Sequence, residues 1–226
     1  MYKYVLTFSK TGNICYISHL DLMRLFYRSA KKAGIKLGYS KGFNSHPKIS
    51  FAQPLSLGYV GLRELVEIET EEDYEPADIL GRFAEMMPDG IDIAECVRGQ
   101  EGGKTLAART FAAAYTIRMP AKNMPAISGD EMKNSYMGQE RISTLKKQKK
   151  KKEPVEVDIK PMIREIEFLP AEGTLEIKAI LDSGSTSNLS PELLMDTVRT
   201  HFGLDSDRSE AEVLRSEIFF DRPQND

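Results

Sequence analysis

The sequence predicts an α+β fold made of two tandem domains, each of order β-α-β-β-α-β with an antiparallel sheet. Three observations lead to it. Stretches such as YKYVLTFSK and RELVEIET alternate apolar and polar residues, the period of a half-buried strand. Between such stretches lie segments with apolar residues at helical spacing, bounded by capping and turn residues. The resulting order of elements then runs through the chain twice.

YKYVLTFSK opens as a strand through Tyr4, Leu6 and Phe8. SHLDLMRLFYRSAKKAG follows as a helix, with Leu20, Met23, Phe26, Tyr27 and Ala30 as its buried stripe. Ser18 is its N-cap, with Asp21 three residues on. Lys31 and Lys32 occupy the last turn, where the helix dipole favours cations, and Gly34 ends it. KLGY begins extended chain that KISFAQPLSLGYV continues as a partner strand, and RELVEIET is the next strand. EPADILGRFAEMMPDG is the second helix, with Pro76 in its first turn and Gly90 beyond its end. IDIAECVRG closes the set, which is the ferredoxin-like order.

The polar break GQEGGKTLA divides an N-terminal domain, 1–103, from a C-terminal one, 104–226. In the second, FAAAYTIRM reads as a strand and SGDEMKNSYM as a short helix. EPVEVDIKPMIREIEFL and TLEIKAIL are strands joined around Ala171, Glu172 and Gly173. SPELLMDTVRTHFG is a helix capped by Ser190 with Pro191 at its first position, and AEVLRSEIFF is the last strand.

A chain of 226 residues with 41% hydrophobic composition can bury a sizeable core. No apolar run approaches the ~20 residues of a membrane span. The first residues read as a strand and not as a signal peptide, so the expected location is the cytoplasm. Cys15 and Cys96 are too few and too far apart for a disulfide framework or a cysteine-rich metal site.

The net charge of −3 hides an asymmetry. Residues 1–60 hold nine Lys or Arg against one acid, Asp21, whereas residues 61–100 hold three Arg against twelve acids. The first segment is a candidate phosphate-attracting face, unless the second folds against it and neutralises it. LKKQKKKKEP gives a Lys-rich loop at 145–153, ordinarily a solvated connection and otherwise a phosphate-binding arm.

Two stretches carry candidate chemistry. In ISHLD, Ser18 and Asp21 are accounted for as structural caps that orient His19, whereas a cap itself has no need of His19. At a helix N-terminus an imidazole tends to stay neutral, able to act as base, ligand or hydrogen-bond donor. In YSKGFNSHPK, Gly42 permits a positive φ and Pro47 pushes His46 toward extended geometry. Lys41, Asn44, His46 and Lys48 would then surround an anion, with Arg24, Arg28, Lys31 and Lys32 supplied by the preceding helix. The plainer reading is a long connection that happens to be basic, with Phe43 as a plug in the core.

His19, His46 and Asp21 have no metal-specific spacing, and no metal or cofactor is assigned. The phosphate-loop, dinucleotide, zinc-protease and nucleophile-elbow motifs are missing from the sequence. His201, near a helix C-terminus, reads as a partner of the helix dipole.

GNICYISHLDLMRLFYRSAKKAGIKLGYSKGFNSHPKISFAQPLSLG, with RELVEIE and VEVDIKPMI downstream, resembles the radical SAM-linked protein family, over most of the chain and most specifically in 12–69. Ser18, His19, Leu20 and Asp21 meet that family's S-H-L-D, with Arg24 at its usual place. Gly42, Phe43, Asn44, His46 and Pro47 meet a pattern usually written G-F-N-P-H-P, in which Ser45 here replaces the first Pro. Ser190-Pro191 stands where the family tends to have Arg-Pro. The resemblance implies a partner, a radical SAM protein with a cobalamin-binding region. This chain lacks the C-x-x-x-C-x-x-C cluster motif, so it would be an accessory subunit that recognises substrate, RNA or another phosphate-bearing molecule, or that docks on the enzyme.

The tandem layout also resembles CRISPR repeat-processing endoribonucleases, which would cast His19 and His46 as acid–base catalysts and Lys41 as the stabiliser of phosphorane charge. Their C-terminal glycine-rich loop is missing, since residues 203–226 contain only Gly203. A purely protein–protein scaffold is the third reading.

Overall fold

The computed structural model describes residues 1–100, 104–146 and 153–220. Its fold is mixed α+β, antiparallel-rich, with five α-helices among the described residues. Two compact units divide the chain: Met1–Thr110 with Arg215–Asp226, and Phe111–Leu214.

In the first unit, β1 (Tyr2–Lys10) leads through a 3-10 turn at Gly12–Tyr16 into α1 (His19–Lys32). The short β2 (Ile49–Phe51), β3 (Val60–Thr70), α2 (Pro76–Met86), β4 (Ile91–Arg98) and a single turn, α3 (Leu106–Arg109), follow. The strand order is β4-β1-β3, with β2 pairing the same β3, and each of these pairs is antiparallel. Tyr4, Leu6 and Phe8 all face the core, as their alternation requires. They meet Leu22, Phe26 and Ala30 of α1 and Ile79 and Phe83 of α2. The rings of Phe8, Phe26, Phe51 and Phe83 pack edge-on or tilted, with centroids 5.0–5.9 Å apart.

The helical stripe differs from expectation at its first position. Leu20 is 62% exposed and Leu22 is buried in its place. The helix starts at His19, and the phase set by Phe26 and Ala30 runs back four residues to Leu22. The expected long second strand is only three residues; Ala52 still donates to the Leu65 carbonyl, but Pro54, two residues on, has no N–H to give a ladder. The single turn α3 falls where a polar break was expected, capped by the Thr105 hydroxyl.

In the second unit, β5 (Thr110–Pro120, its first residue belonging to the first unit) precedes α4 (Gly129–Met137). Next come a hairpin of β6 (Ser143–Lys146) and β7 (Val155–Asp158), then β8 (Ile163–Ala171), β9 (Thr174–Asp182), α5 (Pro191–Phe202) and β10 (Glu212–Phe220). The strand order is β5-β9-β8, antiparallel. α4 starts with a full capping box, Ser128 with Glu131. Its first residue must be glycine, since a Cβ on Gly129 would lie 2.0 Å from the Phe168 carbonyl oxygen. Gly173 turns β8 into β9 at φ +68°. Gly203 ends α5 in the left-handed region, while Ser190 stands at the N-cap without a side-chain hydrogen bond.

The segment expected as one strand, EPVEVDIKPMIREIEFL, is broken between β7 and β8 by a 3-10 turn at Lys160–Met162. The Asp158 carboxylate causes the break, accepting the Lys160 N–H at 3.0 Å and the Ile142 N–H at 3.1 Å. Of the expected Lys-rich loop at 145–153, residues 147–152 lie outside the described residues. Among the described residues, no helix is long and apolar enough to cross a membrane.

The last strand is divided between the units. From Arg215 on it belongs to the first, where Arg215 is 2% exposed. Its guanidinium donates to Glu64 Oε1 (2.8 Å) and Oε2 (2.5 Å) and to the Gln53 carbonyl (2.8 Å). Gly61 makes the room, since a Cβ there would come within 2.6 Å of the Glu64 side chain.

Candidate ligand-recognition site

Ser18 caps α1 as the sequence indicates. Its Oγ accepts the Asp21 N–H at 3.2 Å, and its hydroxyl donates to Asp21 Oδ2 at 2.7 Å. Asp21 Oδ1 also accepts from the Arg24 guanidinium at 2.9 Å, and these two hydrogen bonds hold the carboxyl below its usual range. Asp21 is thus occupied by the cap and by Arg24.

His19 is half-buried, its ring edge-on to Phe51 with centroids 5.2 Å apart. Burial lowers its pKa, and repulsion by the nearby Lys10 ammonium lowers it further. Lys10 is 1% exposed and donates to the carbonyls of Cys15 (3.1 Å) and Ile17 (3.2 Å). Burial also lowers the pKa of His201, whose Nε2 lies 2.9 Å from the Ser135 hydroxyl.

These two imidazoles make stability depend on pH. A folded-state pKa below the ordinary value near 6.5 means that the unfolded chain binds protons first as pH falls. Native stability is therefore full above about pH 6.5 and declines as pH drops toward the folded-state values. The melting midpoint is expected to be lower at pH 5 than at pH 7.5, and the double variant His19→Gln/His201→Gln is expected to narrow that gap. An unchanged gap in the double variant would contradict this.

The loop 39–48 is built by its own backbone. Tyr39 and Pro47 form a bridge, Ser40 N–H donates to the His46 carbonyl (2.9 Å), and His46 N–H donates to Ser40 Oγ (3.0 Å). The Ser45 hydroxyl closes the ring by donating to the Ser40 carbonyl at 2.9 Å. Ser45 thus fastens the tip with a hydrogen bond where a proline would have stiffened it. Gly42 turns at φ +129°, a value that L side chains rarely adopt. Lys41, Phe43, Asn44 and His46 are exposed at the tip.

Phe43 corrects the reading of it as a core plug. It is 112% exposed, because the ring of hydrogen bonds from Ser40 to His46 holds the tip away from the core that Phe51 fills. Lys48, expected as an anion contact, is ion-paired with Glu69 on β3. The loop meets α1 where the Tyr27 and Tyr39 hydroxyls lie 3.2 Å apart, and just beyond its end His19 packs on Phe51 of β2. Among the described residues, no hydrogen bond links His19 to His46.

The acidic segment neutralises part of the basic one. Lys3 pairs with Glu67, Lys36 with Glu72 and Lys48 with Glu69. Arg28, Lys31, Lys32 and Lys41 have no carboxylate partner within ion-pair distance among the described residues. Three of these four lie on the C-terminal half of α1, and the fourth is on the loop tip. Sequence reasoning missed the tyrosine clasp and the exposure of Phe43; the signal for the second was an aromatic in the middle of an otherwise polar turn.

A family model described as "Uncharacterized protein conserved in bacteria (DUF2344)" matches residues 3–191. The chain belongs to the DUF2344 family. The match takes in α1, the 39–48 loop and β3, so the whole candidate site lies inside the DUF2344 region. No curated protein matches this chain. Among solved structures, one titled "Crystal Structure of a Cbf5-Nop10-Gar1 Complex" is similar in fold at TM-score 0.54 and 11% identity, covering 95% of this chain and 48% of that one. The DUF2344 chain thus spans about half the length of that structure's chain. A second, "Crystal Structure of an Unknown Protein from Galdieria sulphuraria", aligns at TM-score 0.28 and 12% identity over 91% of this chain and 96% of that one.

Proposed function

We propose that this DUF2344 protein is a noncatalytic accessory subunit that recognises RNA for a radical SAM enzyme with a cobalamin-binding region. The observation that carries the RNA part is where the unneutralised charge lies. Arg28, Lys31, Lys32 and Lys41 fall on one helix half and the loop clasped to it, while other bases of residues 1–60 are spent on internal carboxylates. A cationic strip of that kind attracts a phosphate backbone with no need of sequence. The enzyme partner rests on the resemblance carried by Ser18-His19-Leu20-Asp21 and Gly42-Phe43-Asn44. The setting would be cytoplasmic.

We infer also that both halves are ferredoxin-like. The order β4-β1-β3 with β2 on the far side, antiparallel throughout, supports this for the first, and β5-β9-β8 repeats part of it in the second. The packing of a half-buried His19 against Phe51 favours recognition over ribonuclease chemistry.

The test is a salt series with labelled tRNA or rRNA fragments and the whole chain. Binding through these four cations is expected to give a log–log salt slope of about −3 on single-stranded RNA, from ~0.7 per phosphate. The triple variant Arg28→Gln/Lys31→Gln/Lys32→Gln is expected to flatten the slope by about 2. No detectable binding at ~50 mM salt would overturn the RNA reading. Copurification with the radical SAM protein that withstands nuclease would then favour a scaffold.

A further inference from the structure

We infer that Phe43 is a stacking platform for an unpaired nucleobase, so that the site selects single-stranded RNA over duplex; this rests on the RNA reading above. A phenylalanine with its whole side chain in water offers apolar area that nothing in the fold covers, so a ligand that covers it gains the full benefit of that burial. Here the ring does not sit on a loose tether. The tip Lys41–Ser45 is stapled at its base by hydrogen bonds among Ser40, Ser45 and His46 and by the Tyr39–Pro47 bridge. The Tyr27–Tyr39 clasp ties that base to α1. A platform fixed in advance loses little conformational freedom on binding.

The neighbours of the ring suit a nucleotide. Lys41, two residues before and exposed at the same tip, supplies an ammonium for the phosphate of a stacked nucleotide. Asn44, next to the ring, offers both a donor and an acceptor to a base edge, and His46 adds a further polar ring. In duplex RNA the base faces are covered by their neighbours and the deep major groove is closed to side chains, so a ring of this kind has nothing to stack on. In a single strand every base has an open face, which makes stacking tolerant of sequence. Between Lys41 and Phe43, Gly42, at φ +129°, takes a backbone conformation that L side chains rarely adopt.

The experiment compares the whole chain and its Phe43→Ala and Phe43→Trp variants on three RNA probes of one sequence: a 12-nucleotide single strand, the same strand annealed to its complement, and the single strand with abasic sites. The wild type is expected to prefer the intact single strand. Phe43→Ala is expected to weaken that binding roughly tenfold, to leave duplex binding and the melting midpoint unchanged, and to erase the difference between intact and abasic strands. Phe43→Trp is expected to restore the preference. Equal affinity of wild type and Phe43→Ala for the intact strand, with the salt slope still steep, would overturn the stacking while leaving the RNA reading standing. Loss of copurification with a protein partner in Phe43→Ala, RNA affinity being unchanged, would place the ring in a protein pocket and overturn it too. Failure of all three probes to bind would remove both readings.

Discussion

Replacing Glu64 by Gln is expected to lower the unfolding free energy by about 3–5 kcal/mol, the cost of leaving a buried charge without its partner. Glu64 is 3% exposed and takes both hydrogen bonds of the Arg215 fork, with the buried Lys10 ammonium close enough to feel it. Without the carboxylate, two cations remain in the interior, donating to carbonyl groups that include those of Gln53, Pro54, Cys15 and Ile17. For a chain of this size the melting midpoint should fall by roughly 10 °C. The double variant Glu64→Met/Arg215→Met should lose less, since apolar side chains of similar volume replace the pair and no charge is orphaned. A midpoint within about 2 °C of wild type in Glu64→Gln would mean that the arginine finds water or another acceptor.

The Phe51→Ala variant is expected to lose about 3–5 kcal/mol as well, by opening a cavity among Phe8, Phe26 and the base of α1. It carries a second readout. Phe51 is the ring on which His19 rests, so its loss admits water to the imidazole. The His19 pKa, held down chiefly by burial, should rise toward 6.5 in an NMR titration. Loss of stability with an unmoved His19 titration would show that Phe51 is not what shields that ring.

Local signals carried much of the fold, and the reasons are visible in single residues. Ser18, Pro76, Pro191 and Gly173 act at short range, so their capping and turning roles could be read in order along the chain. What escaped were interactions closed over long separations. Asp158 breaks an apparently continuous strand by reaching back to Ile142, sixteen positions away. The Glu64–Arg215 pair spans 151 positions. It still left a trace in the alternation: Lys10 continues the inward phase of Tyr4, Leu6 and Phe8, Glu64 that of Val66 and Ile68, and Arg215 that of Val213. Three charges in phase with a core are a signal for a buried ionic cluster.

At the candidate site the same division holds. The polar set of the 39–48 loop was legible because turn residues and charges announce themselves. Whether Phe43 pointed in or out was not, since either direction suits an aromatic residue in isolation. The pairing of Lys48 with Glu69 depends on β2 lying against β3, which the sequence does not spell out.

Arg215 also sets an order in time. Synthesis runs from the N-terminus, and the first unit's residues up to Thr110 leave the ribosome long before Arg215 does. Until then Glu64 has no guanidinium to meet and the strand that carries it lacks a neighbour. Residues up to Thr110 are therefore made before the guanidinium that Glu64 meets, and a nascent chain halted near residue 110 leaves that carboxylate with Lys10 nearby but without its bidentate partner.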